Sequence, residues 1–268
     1  MKYVNLEDWL SSKLFGLINR KTLDIPEKAT QRILGDKYLD TLYRNELNLI
    51  FGAITSISQK NIVEIGAAGG NTKEIYPNVV TTDVRPAIGV DLLMSAEEFK
   101  FDDESLDAIF GLDAFHHVRD PEKHLNEVLR VLRIGGNAIY IEPNWNLFSK
   151  FCFKILLKYL HPEPYDTQVK KWELENIDPM MGNQSQAHNI FVRDIDKFNF
   201  LFPNLQVEIL DSIKGLSFLL SGGVHTRLPI PSRFLLAIYK FEERNPVFLS
   251  KFALGRLIRL TKVSVPSK

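Results

Sequence analysis

What most limits the fold of this chain is a short apolar run that ends in a bend almost free of side chains. Asn61-Ile-Val-Glu-Ile-Gly66 passes directly into Ala67-Ala-Gly-Gly70. Apolar runs recur at Val79–Asp83, at Gly89–Leu93 (a weaker one), at Leu106–Leu112 and at Asn137–Glu142. Several are too apolar to leave one face in water, and helical patterns separate them. Such alternation predicts an α/β fold with a doubly wound, mostly parallel sheet covered on both faces.

The intervening segments carry their own punctuation. A brief helix through Glu74 must stop near Pro77. Asp120-Pro121-Glu122 predicts a helix start, with an Asp cap, Pro at the first helical position and an acid in the first turn. Leu125, Val128, Leu129 and Leu132 form its buried face, and Gly135-Gly136 is expected to cap it. Upstream, Leu42, Leu47, Ile50 and Ile54 recur at helical spacing before a Ser-rich break at Ser56–Ser58. Downstream, Leu147–Leu160 predicts an amphipathic helix and Leu205–Leu210 a strand, while Arg256–Val263 suits strand or helix. Residues 215–255 form an insertion rich in Leu, Phe, Gly and Pro. Three parts follow: a helical segment at 1–60, a ligand-binding half at 61–145, and cap insertions with the remaining strands of the same domain at 146–268.

Composition narrows the function. Lys and Arg together number 33, as do Asp and Glu, and the zero net charge argues against a nucleic-acid binder. The single cysteine, Cys152, excludes an internal disulfide and a thiolate metal cluster. There is no apolar run of membrane-spanning length and no basic-then-apolar leader, so a cytoplasmic protein is expected. The balance hides a gradient: net +2 over residues 1–60, −10 over 61–213 and +8 over 214–268. That basic last quarter either packs on the acidic middle or has a separate task.

In doubly wound sheets a ligand sits at the carboxyl ends of the strands, where the winding reverses. Gly66, Ala67, Ala68, Gly69 and Gly70 let backbone approach it. Asp83, closing the second strand, stands where a carboxylate accepts hydrogen bonds from ribose hydroxyls. A nucleoside-containing ligand is therefore expected. The glycines do not follow the dinucleotide GxGxxG pattern, and no phosphate-loop Gly-Lys-Ser/Thr is present.

The ordered set resembles the class I S-adenosylmethionine-dependent methyltransferases, in particular the type 11 group that includes ubiquinone- and menaquinone-biosynthesis-like enzymes. Glu64-Ile-Gly66-Ala-Ala68-Gly-Gly70 matches their acid-x-Gly-x-Gly-x-Gly motif except at its middle glycine. The resemblance continues through Asp83, Ser95–Phe101 before Ser105-Leu-Asp107, Phe115-His-His117 and Glu127–Gly136, covering roughly residues 60–145. It implies a seven-stranded Rossmann-like sheet and S-adenosyl-L-methionine as cofactor. By the same resemblance Glu64 supports the turn and the cofactor's amino group, and Gly66, Ala67, Ala68 and Gly70 line its methionine part. Asp83 holds the ribose, Val84, Ser95 and Ala96 flank adenine, and Gly111 and Leu112 face the sulfonium. Two departures, Ala68 for glycine and Ser95 for an aspartate, leave open a second reading as a weak or inactive cofactor-binding protein.

Methyl transfer asks mainly for alignment, with a base only for a poorly ionised acceptor. His116 and His117 are the candidate bases; packing and hydrogen bonding in a loop is the other reading of the pair, and of His188. No metal is expected, because His116, His117 and His124 lack a matching acid or thiolate set. On Leu147–Leu160, Lys150, Lys154 and Lys158 form one stripe, opposite Phe148, Phe151, Cys152, Ile155, Leu156 and Tyr159. That pattern fits an ordinary surface helix, a lid over an apolar substrate or an interfacial helix. The expectation is a small or lipid-like hydrophobic acceptor, with transient contact to anionic membrane.

Overall fold

The computed structural model describes residues 26–55, 61–156, 163–175, 178, 180–224 and 228–264. Helices α1 (Pro26–Gly35) and α2 (Lys37–Ala53) come first. Asp36 separates them, its carboxylate accepting from the amides of Tyr38 and Leu39 to start α2. Leu42, Leu47 and Ile50 are buried on one face of α2, as their spacing predicts. The Ser56–Ser58 break lies outside the described residues.

Seven strands follow: β1 (Ile62–Glu64), β2 (Val80–Asp83), β3 (Leu92–Leu93), β4 (Leu106–Leu112), β5 (Leu132–Pro143), β6 (Leu205–Ile213) and β7 (Gly255–Lys262). They form one sheet in the order β3-β2-β1-β4-β5-β7-β6. The first five are parallel, with Val63 opposite both Val80 and Ile109, and β7 runs antiparallel between β5 and β6. The winding reverses between β1 and β4, which opens a crevice at their carboxyl ends.

Both faces are covered. Val63, Ile109, Ala138 and Tyr140 pack with Leu125, Val128, Phe191 and Phe198 on one side. Their strand neighbours Ile62, Phe110, Ile139 and Ile141 pack with Leu47, Ile50 and Leu257 on the other. Alternate residues therefore enter different cores, which explains the unbroken apolar runs.

Helix α3 (Pro121–Val131) starts at the expected cap, where Asp120 accepts from the Lys123 amide. Its end corrects the sequence reading. The chain leaves the helix at Leu132 and pairs at once with Leu106, so Gly135 (φ +81°) turns within β5 and does not cap α3. Asn71–Glu74 is a single 3₁₀ turn and the third strand is only two residues. Helix α4 (Leu147–Phe151) passes into a π turn at Cys152–Leu156, and residues 157–160 lie outside the described ones. Helices α5 (Ile195–Leu201), α6 (Leu216–Ser221), α7 (Ser232–Arg244) and α8 (Pro246–Phe252) complete the chain, so the 215–255 insertion is helical. The segment that suited strand or helix is β7.

Candidate functional site

A cavity of about 490 Å³ occupies the crevice, within the ~300–1,000 Å³ span of small-molecule sites. The bend after β1 forms its floor. Gly66 takes φ +63°, and a side chain there would meet the Ala114 methyl at 2.7 Å. The Ala67 amide donates to Thr82 O at 2.9 Å, and the Ala68 amide to Asp83 Oδ2 at 2.9 Å. Ala68 holds φ +46°, so the bend keeps the left-handed turn expected of a glycine despite the methyl group.

Asp83 is buried at the cavity wall, its Oδ1 accepting from the Arg85 amide at 2.8 Å. Each carboxylate oxygen thus keeps a lone pair for a ligand hydroxyl. Glu64 also lines the cavity. Burial lifts its pKa to about 7, against a Thr72 hydrogen bond, and Asp83 adds to the rise; Oε2 has no hydrogen-bond partner.

Val84, Ser95 and Ala96 lie on the same wall as Asp83, and Leu112 and His117 line the cavity beyond β4. Three of the sequence-selected residues stand behind the wall instead. Gly70 (φ +72°) lets the chain cross Gly89, whose Cα would lie 2.4 Å from an added Cβ. Gly111 is buried in β4, leaving room for Ile65 and Ala114. His116 points away into the protein.

What directs His116 is Glu142, near the end of β5. Its carboxylate accepts from the amides of Ala114, Phe115 and His116 and meets His116 Nδ1 at 2.7 Å. Burial pushes this ring down, but the charge of Glu142, aided by Glu163, outweighs it and lifts the pKa to about 10. His117 behaves oppositely: burial and the charged His116 beside it lower its pKa to about 4, and its Nδ1 has no hydrogen-bond partner. His124 is a core residue, bound to Ala96 O and the Tyr140 hydroxyl. His188 packs beside Trp145, away from the cavity lining.

Residues without a sequence signal complete the site. Ile33, Tyr43 and Leu47 from α1 and α2, with Met180 and Val224 from the cap, wall the cavity opposite the bend. Asp113 (φ +50°) lines it too, paired with the buried Lys214, which also lies 3.9 Å from Glu46. The premise for expecting no metal does not hold in three dimensions. Glu163, forty-six residues from His117, brings an acid to the histidine pair, so that one ligand atom of each of His116, His117 and Glu163 lies within 4.8 Å of the others. Neither Glu142 nor Glu163 is singled out by the sequence: Glu142 only closes a strand, and Glu163 lies in a loop whose path no periodicity reveals.

Residues 64–140 match a family model described as a methyltransferase domain. A crystal structure from Thermotoga maritima, described as a SAM-dependent methyltransferase and possible histamine N-methyltransferase, is 16% identical. It covers 82% of this chain and 89% of its own, with a TM-score of 0.50, and so shares the fold. YcgJ of Bacillus subtilis is 17% identical over 83% of this chain and 100% of its own, with a TM-score of 0.48. Geranyl diphosphate C-methyltransferase of Streptomyces coelicolor, solved with Mg²⁺, geranyl diphosphate and S-adenosyl-L-homocysteine, is 14% identical over 92% and 88%, with a TM-score of 0.47. No curated protein matches the sequence.

Proposed function

We propose that the chain, whose residues 64–140 match a methyltransferase domain, is a class I S-adenosylmethionine-dependent methyltransferase that acts on a small, hydrophobic or lipid-like acceptor. Bound S-adenosylmethionine supplies an electrophilic sulfonium methyl, and transfer is an in-line displacement helped mainly by alignment. The residues fit this cofactor on two counts. Glu64 offers a buried, unpartnered oxygen suited to a cationic amino group, and Asp83, pinned by two backbone amides, keeps lone pairs for the ribose. Gly66, Ala67 and Ala68 would let backbone approach the methionine part, while Val84, Ser95 and Ala96 flank the base and Leu112 borders the sulfonium. Gly70 and Gly111 act at one remove, by allowing the chain crossings that shape the bend.

The observation that carries the acceptor reading is the apolar character of the wall facing the bend: Ile33, Leu47, Leu112, Met180 and Val224. His117, with an unpartnered Nδ1 at that wall, is the group placed to accept a hydrogen bond from an acceptor hydroxyl. Incubation with labelled donor and a panel of quinols, phenols, fatty acids and polar amines tests this. Formation of S-adenosylhomocysteine with an apolar member is expected, and turnover confined to polar amines would contradict it.

A membrane contact extends the same reading. Leu147 is 88% exposed and Val247 70%, with Phe151 and Phe241 half exposed beside them. A run of ring contacts, Phe148–Phe252–Phe248–Phe241, links α4, α8 and α7 beneath this patch. Lys150, Lys240, Arg244 and Lys251 belong to the same helices, a combination suited to an anionic lipid surface. Among the described residues no helix is long and apolar enough to cross a membrane. Co-sedimentation with phosphatidylglycerol vesicles at low salt is expected; protein left in the supernatant removes the membrane contact.

A further inference from the structure

We propose that His116, His117 and Glu163 form a binding site for one divalent transition ion of the zinc type, behind the stretch of cavity wall that His117 lines. Two imidazoles and a carboxylate are a zinc donor set, and three protein ligands with an open position are the pattern of reactive zinc sites. The spacing suits it. Bonds of about 2.0–2.1 Å in a tetrahedron need ligand atoms about 3.4 Å apart, and His116 Nε2 already lies 3.5 Å from Glu163 Oε2. All three ligand atoms lie within 4.8 Å of one another.

The surroundings are arranged as metal sites require. A ligating histidine is held by a hydrogen bond from its other ring nitrogen, often to a carboxylate, which fixes the tautomer and aims the lone pair. Glu142 does this for His116: it accepts from Nδ1 at 2.7 Å, and the ion would displace the proton that Nε2 shares with Glu163. Three backbone amides fix Glu142 in turn. Gln184 contacts both Glu163 and His116 Nε2, the latter at 3.4 Å, and steadies the carboxylate. His117 supplies a buried nitrogen with no hydrogen-bond partner, whose lone pair the ion would take in place of an acceptor hydroxyl. His117 also lines the cavity and so joins the ion to its wall.

Ion binding does not depend on the methyltransferase reading, and the test keeps the two apart. Metal-free protein is titrated with zinc chloride in a calorimeter, and cobalt chloride is followed by visible absorption. One zinc per chain and the intense ligand-field bands of a low-coordinate cobalt site are expected. His117→Ala and Glu163→Gln should each weaken zinc by more than about 100-fold, because changes merely behind a ligand cost ~10–100-fold. Glu173→Gln, at the exposed partner of Arg119, should bind zinc as the parent does. Far-UV circular dichroism and a thermal midpoint like the parent's, retained in both ligand variants, certify their fold. Absence of one-to-one zinc binding, or unaltered affinity in both ligand variants, overturns the site. Should either variant unfold, the parent cobalt spectrum decides: low-coordinate bands support the site and an octahedral hydrated spectrum refutes it.

Discussion

Ala68 holds a backbone conformation that L-residues avoid, at a cost of about 1–2 kcal/mol, because its amide is needed by Asp83. Ala68→Gly should relieve that strain while adding about 0.5–1 kcal/mol of chain entropy to the unfolded state. A net gain of up to about 1 kcal/mol in urea unfolding is therefore expected, with cofactor affinity kept. Glu64 makes a prediction in pH. Its pKa is near 7 in the folded chain against an ordinary 4.5, so the folded state holds the proton more tightly. The contribution of this carboxyl to stability is full below pH 4.5, falls as pH rises through about 7 and is flat above. Thr72 and Asp83 are the groups that act on it besides burial, and neither reverses the sign. Glu64→Gln should therefore gain on the parent in stability as pH rises across this window, as unfolding curves taken at successive pH values would show.

At the scale of elements, Glu142 joins β5 to the turn at Phe115–His117 through three amides and a histidine ring. Glu142→Gln breaks a buried pair and should destabilise the fold by about 3–5 kcal/mol in urea unfolding. How legible each element was follows from where its information lies. The strands β1, β2, β4 and β5 were readable because both their faces are buried, which leaves an unbroken apolar run bounded by turn residues. The start of α3 was readable because a cap is a local chemical event. The end of α3 was not: Leu132 is captured by Leu106 of β4, a tertiary pairing that overrides the glycine pair three residues on. Segment 215–255 read as an insertion because Gly and Pro separate its helices. In the site, Glu64, Asp83 and the bend were visible as motif residues, whereas Glu163, Met180 and Val224 reach the cavity through chain paths that leave no periodic trace.

Across the whole molecule, the basic last quarter divides in two. Part of it packs on the acidic middle: Lys214 pairs with Asp113, Arg259 with Glu208 at 2.7 Å and Lys262 with Glu104 at 3.0 Å. Lys240, Arg244 and Lys251, in contrast, belong to the helices α7 and α8 that carry exposed Phe241 and Val247. Replacing Leu147 and Val247 together by Glu should abolish vesicle co-sedimentation without changing stabilisation by cofactor, because neither residue lines the cavity. The helices preceding β1 matter at this scale as well, since Ile33, Tyr43 and Leu47 close the cavity that the sheet only half encloses. The most direct test of the central claim is the thermal unfolding of the parent and of Asp83→Ala with S-adenosylhomocysteine. At one hundred times the dissociation constant the parent should gain about 2.7 kcal/mol. Loss of hydrogen bonds to a charged group, about 1.5–3 kcal/mol, should weaken binding roughly 10- to 150-fold in the variant and remove most of that gain. No stabilisation of the parent, or equal stabilisation of both proteins, would contradict the assignment of this crevice to the cofactor.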